Sequence, residues 1–162
     1  MNLQKLIFLH IPKAGGSTLR QILRKMYAPS DYFFINGKKD MDNFNALAED
    51  KKAQLKLIAG HFGMEFIDSL PLPYYLITML RDPATRIVSY YRYVKRMPGH
   101  FLHSAIHSQN LGLMQFVTSD LDRELDNLSV RLLCGSDFPI NGCNDSDLEM
   151  AKINLKTKFT SF

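Results

Sequence analysis

The segment that most constrains the fold of this chain is residues 8–23, which read FLHIPKAGGSTLRQIL. A short apolar run leads into two glycines, and apolar residues then recur at the spacing of one helix face: Leu19, Ile22, Leu23 and Met26. Glycine permits a tight turn and a close approach to the backbone, and the free N–H groups at a helix start attract anions. The pattern predicts a buried strand at residues 6–10, a turn and a helix at residues 17–27, with an anion-binding site between them.

Apolar runs alternate with helical patterns along the rest of the chain. Further strands are predicted at residues 32–35, 57–60 and 74–80, and the last carries no charge, which favours a central position in a sheet. Helices are predicted at residues 42–55, 62–70, 83–97, 113–119 and 125–134, and a capping box at residues 146–149 predicts a last helix to residue 158. Residues 100–110 look irregular, and residues 159–162 look like the first part of another strand. This alternation favours the α/β class with a mainly parallel sheet.

Length and composition narrow the class of protein. The 162 residues, 46% of them apolar, suit one globular domain, residues 1–162. No apolar run approaches the roughly 20 residues that span a bilayer, so we expect no stable membrane insertion. A net charge of +4 without a basic stripe argues against nucleic-acid binding and suits a small polyanionic ligand. Cys134 and Cys143 lack metal-binding spacing, so free thiols are expected, and a disulfide stays open.

Lys13 precedes the two glycines, which sets this loop apart from the Walker A loop of nucleoside triphosphatases. That loop reads GxxxxGKS/T, and its lysine follows the glycines to reach the terminal phosphates. A lysine on the strand side would lie nearer the bridging atoms of a bound anion. The candidate anion-binding group is Lys13, Ala14, Gly15, Gly16, Ser17 and Thr18. The alternative is a tight strand–helix turn capped by the serine.

A second candidate group follows the last long predicted strand, in the stretch LRDPATRIVSYY. Asp82 and Pro83 fit the N-cap and the first position of a helix. Arg81 would lie at the strand end, where a guanidinium can bind a phosphate with two hydrogen bonds. Ser89 lies about two turns along the helix on the same side, and Arg86 is predicted to lie there too. The alternative is an ion pair of Arg81 with a carboxylate, with Ser89 packed between helix and sheet.

His61 lies between glycines at the end of a predicted strand, in the stretch AGHFGM. Ligands of open parallel sheets bind at the carboxyl ends of strands, so His61 is a candidate general base. A structural histidine is the alternative. His100, His103 and His107 have a spacing that could suit a metal, but they lie in an irregular segment without cysteine or acidic partners at fixed spacing, and we predict no metal site.

Three motifs in one order resemble the sulfotransferases of the Sulfotransfer_2 type, the heparan sulfate 2-O-sulfotransferase-like group. They are HIPKAGGSTL at residues 10–19, AGHFGM at 59–64 and LRDPATRIVSYY at 80–91, with a fainter similarity in DNLSVRLLCG at 126–135. The resemblance covers more than half of the chain. It implies a three-layer, P-loop-like α/β fold in which helices flank the sheet.

The resemblance also implies an activity: transfer of a sulfuryl group from 3′-phosphoadenosine 5′-phosphosulfate (PAPS) to a hydroxyl of an acceptor, expected to be a saccharide. It assigns residues 13–18 to the 5′-phosphosulfate, Arg81 and Ser89 to the 3′-phosphate, and His61 to the base that takes the acceptor's proton. Lys13 would then act in catalysis as well, near the bridging oxygen, where negative charge develops as the 5′-phosphate leaves. No metal is implied, because the transferred group carries less charge than a γ-phosphoryl group.

The chain departs from the family pattern in two ways. Ala14 stands where the family loop often has threonine, which removes one donor to the ligand. The family domain normally continues beyond residue 162, so we expect its C-terminal part to be missing, and whether these residues alone are active is left open. Eukaryotic relatives are anchored in the Golgi membrane, whereas Met1 lies five residues before the first predicted strand. We therefore expect a cytoplasmic, bacterial protein.

Two other functions stay open, as does the oligomeric state. A nucleotide kinase or other P-loop-type NTPase would use Asp82 to hold Mg²⁺, although the GKS/T sequence is missing. A non-catalytic remnant of the sulfotransferase fold would bind the nucleotide and transfer nothing. Preference for ATP with Mg²⁺ would favour the first, and tight binding of 3′-phosphoadenosine 5′-phosphate without transfer would favour the second.

Overall fold

A parallel sheet of four strands organises the computed structural model, which describes residues 5–160. The strands are β1 (Lys5–Leu9), β2 (Tyr32–Ile35), β3 (Leu57–Gly60) and β4 (Tyr74–Thr78), in the order β2-β3-β1-β4. Leu9 at the end of β1 pairs with Gly60 on one side and with Thr78 on the other. The predicted α/β class with a parallel sheet is confirmed, and the carboxyl ends of β1, β3 and β4 lie side by side.

The helices occupy the connections between strands and the C-terminal half of the described chain. They are α1 (Gly16–Met26), α2 (Lys38–Asn45), α3 (Glu49–Gln54), α4 (Met64–Asp68), α5 (Pro83–Arg96), α6 (His103–Ser108), α7 (Leu113–Val117), α8 (Leu128–Cys134) and α9 (Asp145–Thr157). A one-turn 3₁₀ helix, Arg123–Leu125, precedes α8. No helix within residues 5–160 is both long enough and apolar enough to cross a membrane.

Helices cover both faces of the sheet, because successive side chains of a strand point to opposite sides. On one face, Phe8 packs with Leu23 of α1. On the other face, Ile7 and Leu9 belong to a larger cluster that includes Met64 of α4 and residues of α8 and α9. This three-layer packing fixes both ends of the loop that joins β1 to α1.

A separate apolar cluster joins α5, α6 and α7. Tyr90 and Val94 of α5 are buried with Ile106 of α6 and Phe116 of α7. The prediction that residues 100–110 are irregular is wrong, since they contain α6. Burial of Ile106 stabilises this short helix, whose own sequence pattern is weak.

The strand predicted at residues 74–80 is shorter and lies at the edge of the described sheet. β4 ends at Thr78 and pairs with β1 alone, and Tyr75 is about half exposed. The prediction of a central position is therefore wrong, because an uncharged run does not require burial on both sides. On its other side, the Leu76 carbonyl oxygen accepts a hydrogen bond from the N–H of Thr160. Residues 159–160 form no strand, and the remainder of the strand predicted at 159–162 lies outside the described residues.

Two helix predictions need correction. Residues 42–55 form two helices, α2 and α3, because Ala48 between them is extended (φ −61°, ψ 146°) and Leu47 packs against the main cluster. The capping box of α9 is Asn144 with Asp147, not residues 146–149: the Asn144 side chain accepts from the Asp147 N–H, and the Asp147 side chain accepts from the Asn144 N–H. The other predicted helices are confirmed, with shifts of one to three residues at most ends.

Candidate active site

The loop between β1 and α1 is anchored in the core and leaves the start of α1 open. Ile11 and Ala14 are buried in the main cluster. Gly15 adopts a left-handed conformation (φ 93°), which suits glycine, and no side chain caps the N–H groups in the first turn of α1. These N–H groups and the helix dipole therefore remain available to an anion. Thr18 is exposed, and the Ala14 side chain points into the core, so only its backbone could contact a ligand.

Gly16, the first residue of α1, lies directly against the end of β1. A Cβ atom at this position would enter the His10 ring and come within 2.9 Å of the Phe8 ring. Glycine at this position lets α1 begin close to the buried His10 side chain. The second glycine of the pair thus serves packing as well as the turn.

Lys13 lies between two cavities at the carboxyl edge of the sheet and lines both of them. Its Nζ atom is 4.0 Å from the centre of the Tyr93 ring, close enough for a cation–π interaction. Burial lowers the pKa of the Lys13 ammonium from its usual value, and the positive charge of the nearby Arg96 lowers it further. Tyr93 of α5 therefore holds the lysine at the junction of the two cavities.

The first cavity, of about 430 Å³, lies between the loop and α5. Arg81 lines this cavity and connects α5 to the loop. Its Nε donates to the Thr85 hydroxyl of α5, and its Nη1 donates to the Lys13 carbonyl oxygen of the loop. Ser89 lines the cavity one turn further along α5. The structure thus brings Lys13, Arg81 and Ser89 together in one cavity.

Two further arginines line the first cavity and were not identified from the sequence. Arg92 and Arg96 follow Ser89 on the same face of α5, at spacings of three and four residues. That spacing is the signal that could have identified them. Together with Arg81 and Lys13, they place four cationic side chains around the cavity.

The prediction that Arg86 lies on the cavity side of α5 is wrong. Arg86 is buried, and its Nη2 donates to the backbone carbonyl oxygen of Glu124. The helix start itself is as predicted: Pro83 is the first residue of α5, and the Asp82 carboxylate accepts from the Thr85 N–H over 2.9 Å. This capping role accounts for Asp82 without a metal.

The second cavity, of about 360 Å³, lies on the other side of Lys13 and Tyr93. Three predicted site residues line it: Lys13, Ser17 and His61. It also contains residues that the sequence did not single out for this place: His10, Pro12, Asn36, Tyr90, His100 and Glu124. Because Lys13 and Tyr93 line both cavities, the two sites meet at these side chains.

His61 lines the second cavity, and one nitrogen of its ring is in a form that can accept a proton. Its Nδ1 lies 2.7 Å from the carbonyl oxygen of His10, and a carbonyl can only accept, so Nδ1 carries the hydrogen. Nε2 of the neutral ring then keeps its lone pair. Burial lowers the pKa of His61, against the opposing effect of this hydrogen bond, so the ring is neutral at pH 7.

His10 supports His61 through its backbone and through its ring. The His10 and His61 ring centres are 4.6 Å apart, and His10 is almost fully buried. Burial is the main reason that the pKa of His10 is lowered to about 4, and the nearby His61 contributes to the same effect. The ring is therefore neutral at pH 7, and it fills the space between β1 and Gly16.

Glu124 brings a carboxyl group to the same cavity. It belongs to the 3₁₀ helix Arg123–Leu125, more than sixty positions from His61 along the chain. Burial is the main reason that the pKa of Glu124 is raised to about 7, and the negative charge of the nearby Asp122 adds to this effect. Its surrounding sequence, LDRELDN, has no motif that would have placed it here.

The histidines of α6 and the two cysteines lie apart from this arrangement. The rings of His103 and His107 pack together, with centres 4.3 Å apart, and His107 Nε2 lies 3.0 Å from the Lys95 carbonyl oxygen. Within residues 5–160, no group of three or more metal-binding side chains is placed to hold an ion. Cys134 is buried, Cys143 is partly buried, and both are free thiols.

Comparison with known proteins identifies the family. A profile of the Sulfotransferase family (Sulfotransfer_2) matches residues 2–126, which include the four strands and every residue of the two cavities. A protein-tyrosine sulfotransferase of Arabidopsis thaliana is 32% identical over 99 residues, which make up 60% of this chain and 19% of that relative. The chain thus spans about a fifth of the length of that relative. Because the profile covers most of the chain, this protein belongs to the Sulfotransferase family.

Proposed function

We propose that this protein transfers a sulfuryl group from PAPS to a hydroxyl group of an acceptor. The observation that carries the proposal is the pair of cavities that meet at Lys13. One is lined by arginines, and the other contains His61 with an unprotonated ring nitrogen. An anionic donor and an acceptor hydroxyl would therefore meet beside the same lysine. Family membership supports this reaction.

The first cavity suits a nucleotide that carries phosphates at two positions. Its volume falls within the usual range of ligand sites, about 300–1,000 Å³. Arg81 and Ser89 would bind the 3′-phosphate. Lys13 and the N–H groups from Gly15 to Thr18 would bind the 5′-phosphosulfate, as expected of a helix start, while the Ala14 N–H donates to the Ile11 carbonyl oxygen. The residues present thus fit PAPS.

His61 and Lys13 would divide the chemistry of transfer. His61 Nε2 would take the acceptor's proton while the acceptor oxygen forms its bond to sulfur. The bond between sulfur and the bridging oxygen breaks in line, and its electron pair goes to the departing phosphate. Lys13 and the N–H groups of the loop would stabilise the charge that develops there. PAPS supplies the activated sulfuryl group.

A saccharide hydroxyl is the proposed acceptor, on the resemblance of the three motifs to the heparan sulfate 2-O-sulfotransferase-like group. The Arabidopsis relative is named for sulfation of protein tyrosine, so a tyrosine hydroxyl is the second candidate. Transfer assays with both kinds of hydroxyl distinguish them.

A thermal shift with 3′-phosphoadenosine 5′-phosphate, compared with ADP and with ATP and Mg²⁺, tests the donor site. A ligand at 100 times its Kd stabilises a protein by about 2.7 kcal/mol, a readily measured shift. We expect the bisphosphate to stabilise the protein most and PAPS to be consumed when an acceptor is added. A larger shift with ATP and Mg²⁺ would instead favour an NTPase. Selective bisphosphate binding without transfer to any hydroxyl would indicate a non-catalytic remnant.

A further inference from the structure

Lys13 is held at three points by groups from different parts of the fold. Its backbone lies in the left-handed region (φ 64°), which residues other than glycine seldom occupy, and the Ala14 N–H donates across it to the Ile11 carbonyl oxygen. Its own carbonyl oxygen accepts from Arg81 Nη1 over 3.3 Å. Its ammonium nitrogen lies 4.0 Å from the centre of the Tyr93 ring. A backbone conformation of this kind persists only where the surrounding structure fixes it, so the position of this lysine is a specific feature of the fold.

The Tyr93 ring is itself fixed in place. It packs against the apolar cluster of α5, α6 and α7. The His100 ring meets it edge to face, with the ring centres 5.6 Å apart and the ring planes at 85°. Tyr93 lines both cavities, so the ammonium that its ring holds lies where they meet.

An aromatic face holds a cation without neutralising it. The ring attracts the charge through its quadrupole and leaves the N–H groups of the ammonium for another acceptor. A carboxylate in the same place would pair with the charge. The ion pairs found among the described residues use other cationic side chains. The Lys13 ammonium can therefore give both its charge and its hydrogen bonds to an anion that enters the cavities.

We propose that Tyr93 is a positioning residue, whose ring face keeps the Lys13 ammonium at the junction of the two cavities before the donor binds. The lysine is then already in place beside the bridging oxygen when the sulfuryl group is transferred, and no reorganisation is needed at that step. This inference rests on the proposed sulfuryl transfer. It adds to that proposal a residue that acts through Lys13, by the face of its ring and not by its phenol hydroxyl.

Two substitutions of Tyr93 separate the ring from the hydroxyl. Tyr93→Phe keeps the aromatic face, so kcat should stay within about twofold of the wild-type value. Tyr93→Leu removes the face, and kcat should fall by about threefold to thirtyfold, the range that one cation–π contact accounts for. The affinity for 3′-phosphoadenosine 5′-phosphate, measured by calorimetry, should change little in either variant, because Arg81 and the loop N–H groups remain.

Tyr91→Leu is the matched control for lost packing. Tyr91 lies on the same helix and packs against the same cluster, and the Nζ atom of Lys95 is 5.6 Å from its ring centre, but it lines neither cavity. Its replacement should leave kcat unchanged. A fall in kcat as large as that in Tyr93→Leu would assign the effect to packing and overturn the inference.

A double-mutant cycle with Lys13→Met tests whether Tyr93 acts through the lysine. If it does, Tyr93→Leu should change kcat by less than about twofold once Lys13 has been replaced, since interacting residues are not additive. Additive losses in the double variant would show that the ring acts independently of Lys13 and would overturn the inference, as would wild-type turnover in Tyr93→Leu.

A spectroscopic signature of the contact does not depend on transfer. Protons over an aromatic face are shielded, so the ε-methylene protons of Lys13 should resonate upfield in the wild-type protein and in Tyr93→Phe, and at their ordinary position in Tyr93→Leu. Absence of the signal in Lys13→Met assigns it. An ordinary position in the wild-type protein would overturn this inference alone. Shielded protons in a wild-type protein that transfers to no hydroxyl acceptor would keep the contact but overturn the proposed transfer, and with it the role given to Tyr93.

Discussion

The Nδ1 atom of His61 lies 2.7 Å from the carbonyl oxygen of His10, across the paired ends of β3 and β1. The hydrogen bond fixes which ring nitrogen carries the hydrogen, and the His61 side chain lines the cavity shared with Lys13. Because the carbonyl belongs to the backbone at a strand end, the sheet itself holds the orientation of this imidazole.

Replacement of His61 should abolish most of the transfer activity. General-base catalysis contributes about 10²–10⁴-fold, so His61→Ala should lower kcat by that factor, about 3–5 kcal/mol in barrier. The wild-type rate should fall at acid pH with an inflection below pH 6.5, since burial lowers the pKa of His61. Steady-state kinetics across pH, with His103→Ala on α6 as control, provide the measurement. Near wild-type turnover in His61→Ala would show that His61 is not the base.

Replacement of Lys13 should affect turnover more than donor binding. Lys13→Met keeps an unbranched apolar chain near Tyr93 and removes the charge from the junction of the cavities. Loss of one group that stabilises developing negative charge costs about 10²–10³-fold in kcat. Lys25→Met, on the exposed side of α1, is the control and should leave kcat unchanged. A rise in the KM for PAPS with kcat intact would instead assign Lys13 to ground-state binding.

Arg81 should be specific for the 3′-phosphate of the donor. We compare the affinity of Arg81→Ala for 3′-phosphoadenosine 5′-phosphate and for 5′-AMP by calorimetry. Hydrogen bonds to charged groups contribute about 1.5–3 kcal/mol, so the bisphosphate should bind at least about tenfold more weakly and 5′-AMP nearly unchanged. Arg24→Ala, exposed on α1, serves as the control. An equal loss for both nucleotides would place Arg81 elsewhere, or would reflect loss of its hydrogen bonds to Thr85 and to the Lys13 carbonyl.

The buried His10 should make the fold less stable at acid pH. Its pKa is about 4 in the folded protein and 6.5 in the unfolded chain, so between these values the unfolded chain binds more protons. The free energy of unfolding should therefore fall as the pH falls through this range, by up to about 3 kcal/mol from this residue. Urea unfolding at pH 7 and at pH 4.5 measures this difference in the free energy of unfolding. His10→Asn should show a smaller difference between the two pH values, and an unchanged difference would contradict the assignment.

A methyl group at Gly16 should destabilise the loop and the site. The added Cβ would meet the His10 ring and the Phe8 ring, and overpacking of this kind typically costs about 1–3 kcal/mol. Gly99→Ala is the matched control, since a Cβ there meets nothing within 4 Å. Thermal unfolding compares the two variants. Equal stability of both would mean that the His10 side chain moves aside without cost.

The sequence identified those parts of the site that lie next to strand ends. Parallel strands bring their carboxyl ends to one edge, so Lys13, His61 and Arg81 could be placed together from three short motifs. The same local chemistry predicted Asp82 as the N-cap of α5 and Pro83 as its first residue, both confirmed. These features depend on residues close in sequence, which is why the pattern revealed them.

The other charged residues around the site owe their positions to tertiary packing. The face of α5 that carries Arg92 and Arg96 lines a cavity, while Arg86 is buried against the backbone of Glu124, and periodicity alone assigned Arg86 to the wrong side. Glu124 enters the second cavity because its 3₁₀ helix packs against α5, a contact between segments far apart in the chain. The sequence by itself thus determined the α/β class and three strand-end motifs, since these follow from local spacing. Only the tertiary structure determined the charges that surround them, since those depend on which distant segment fills the space.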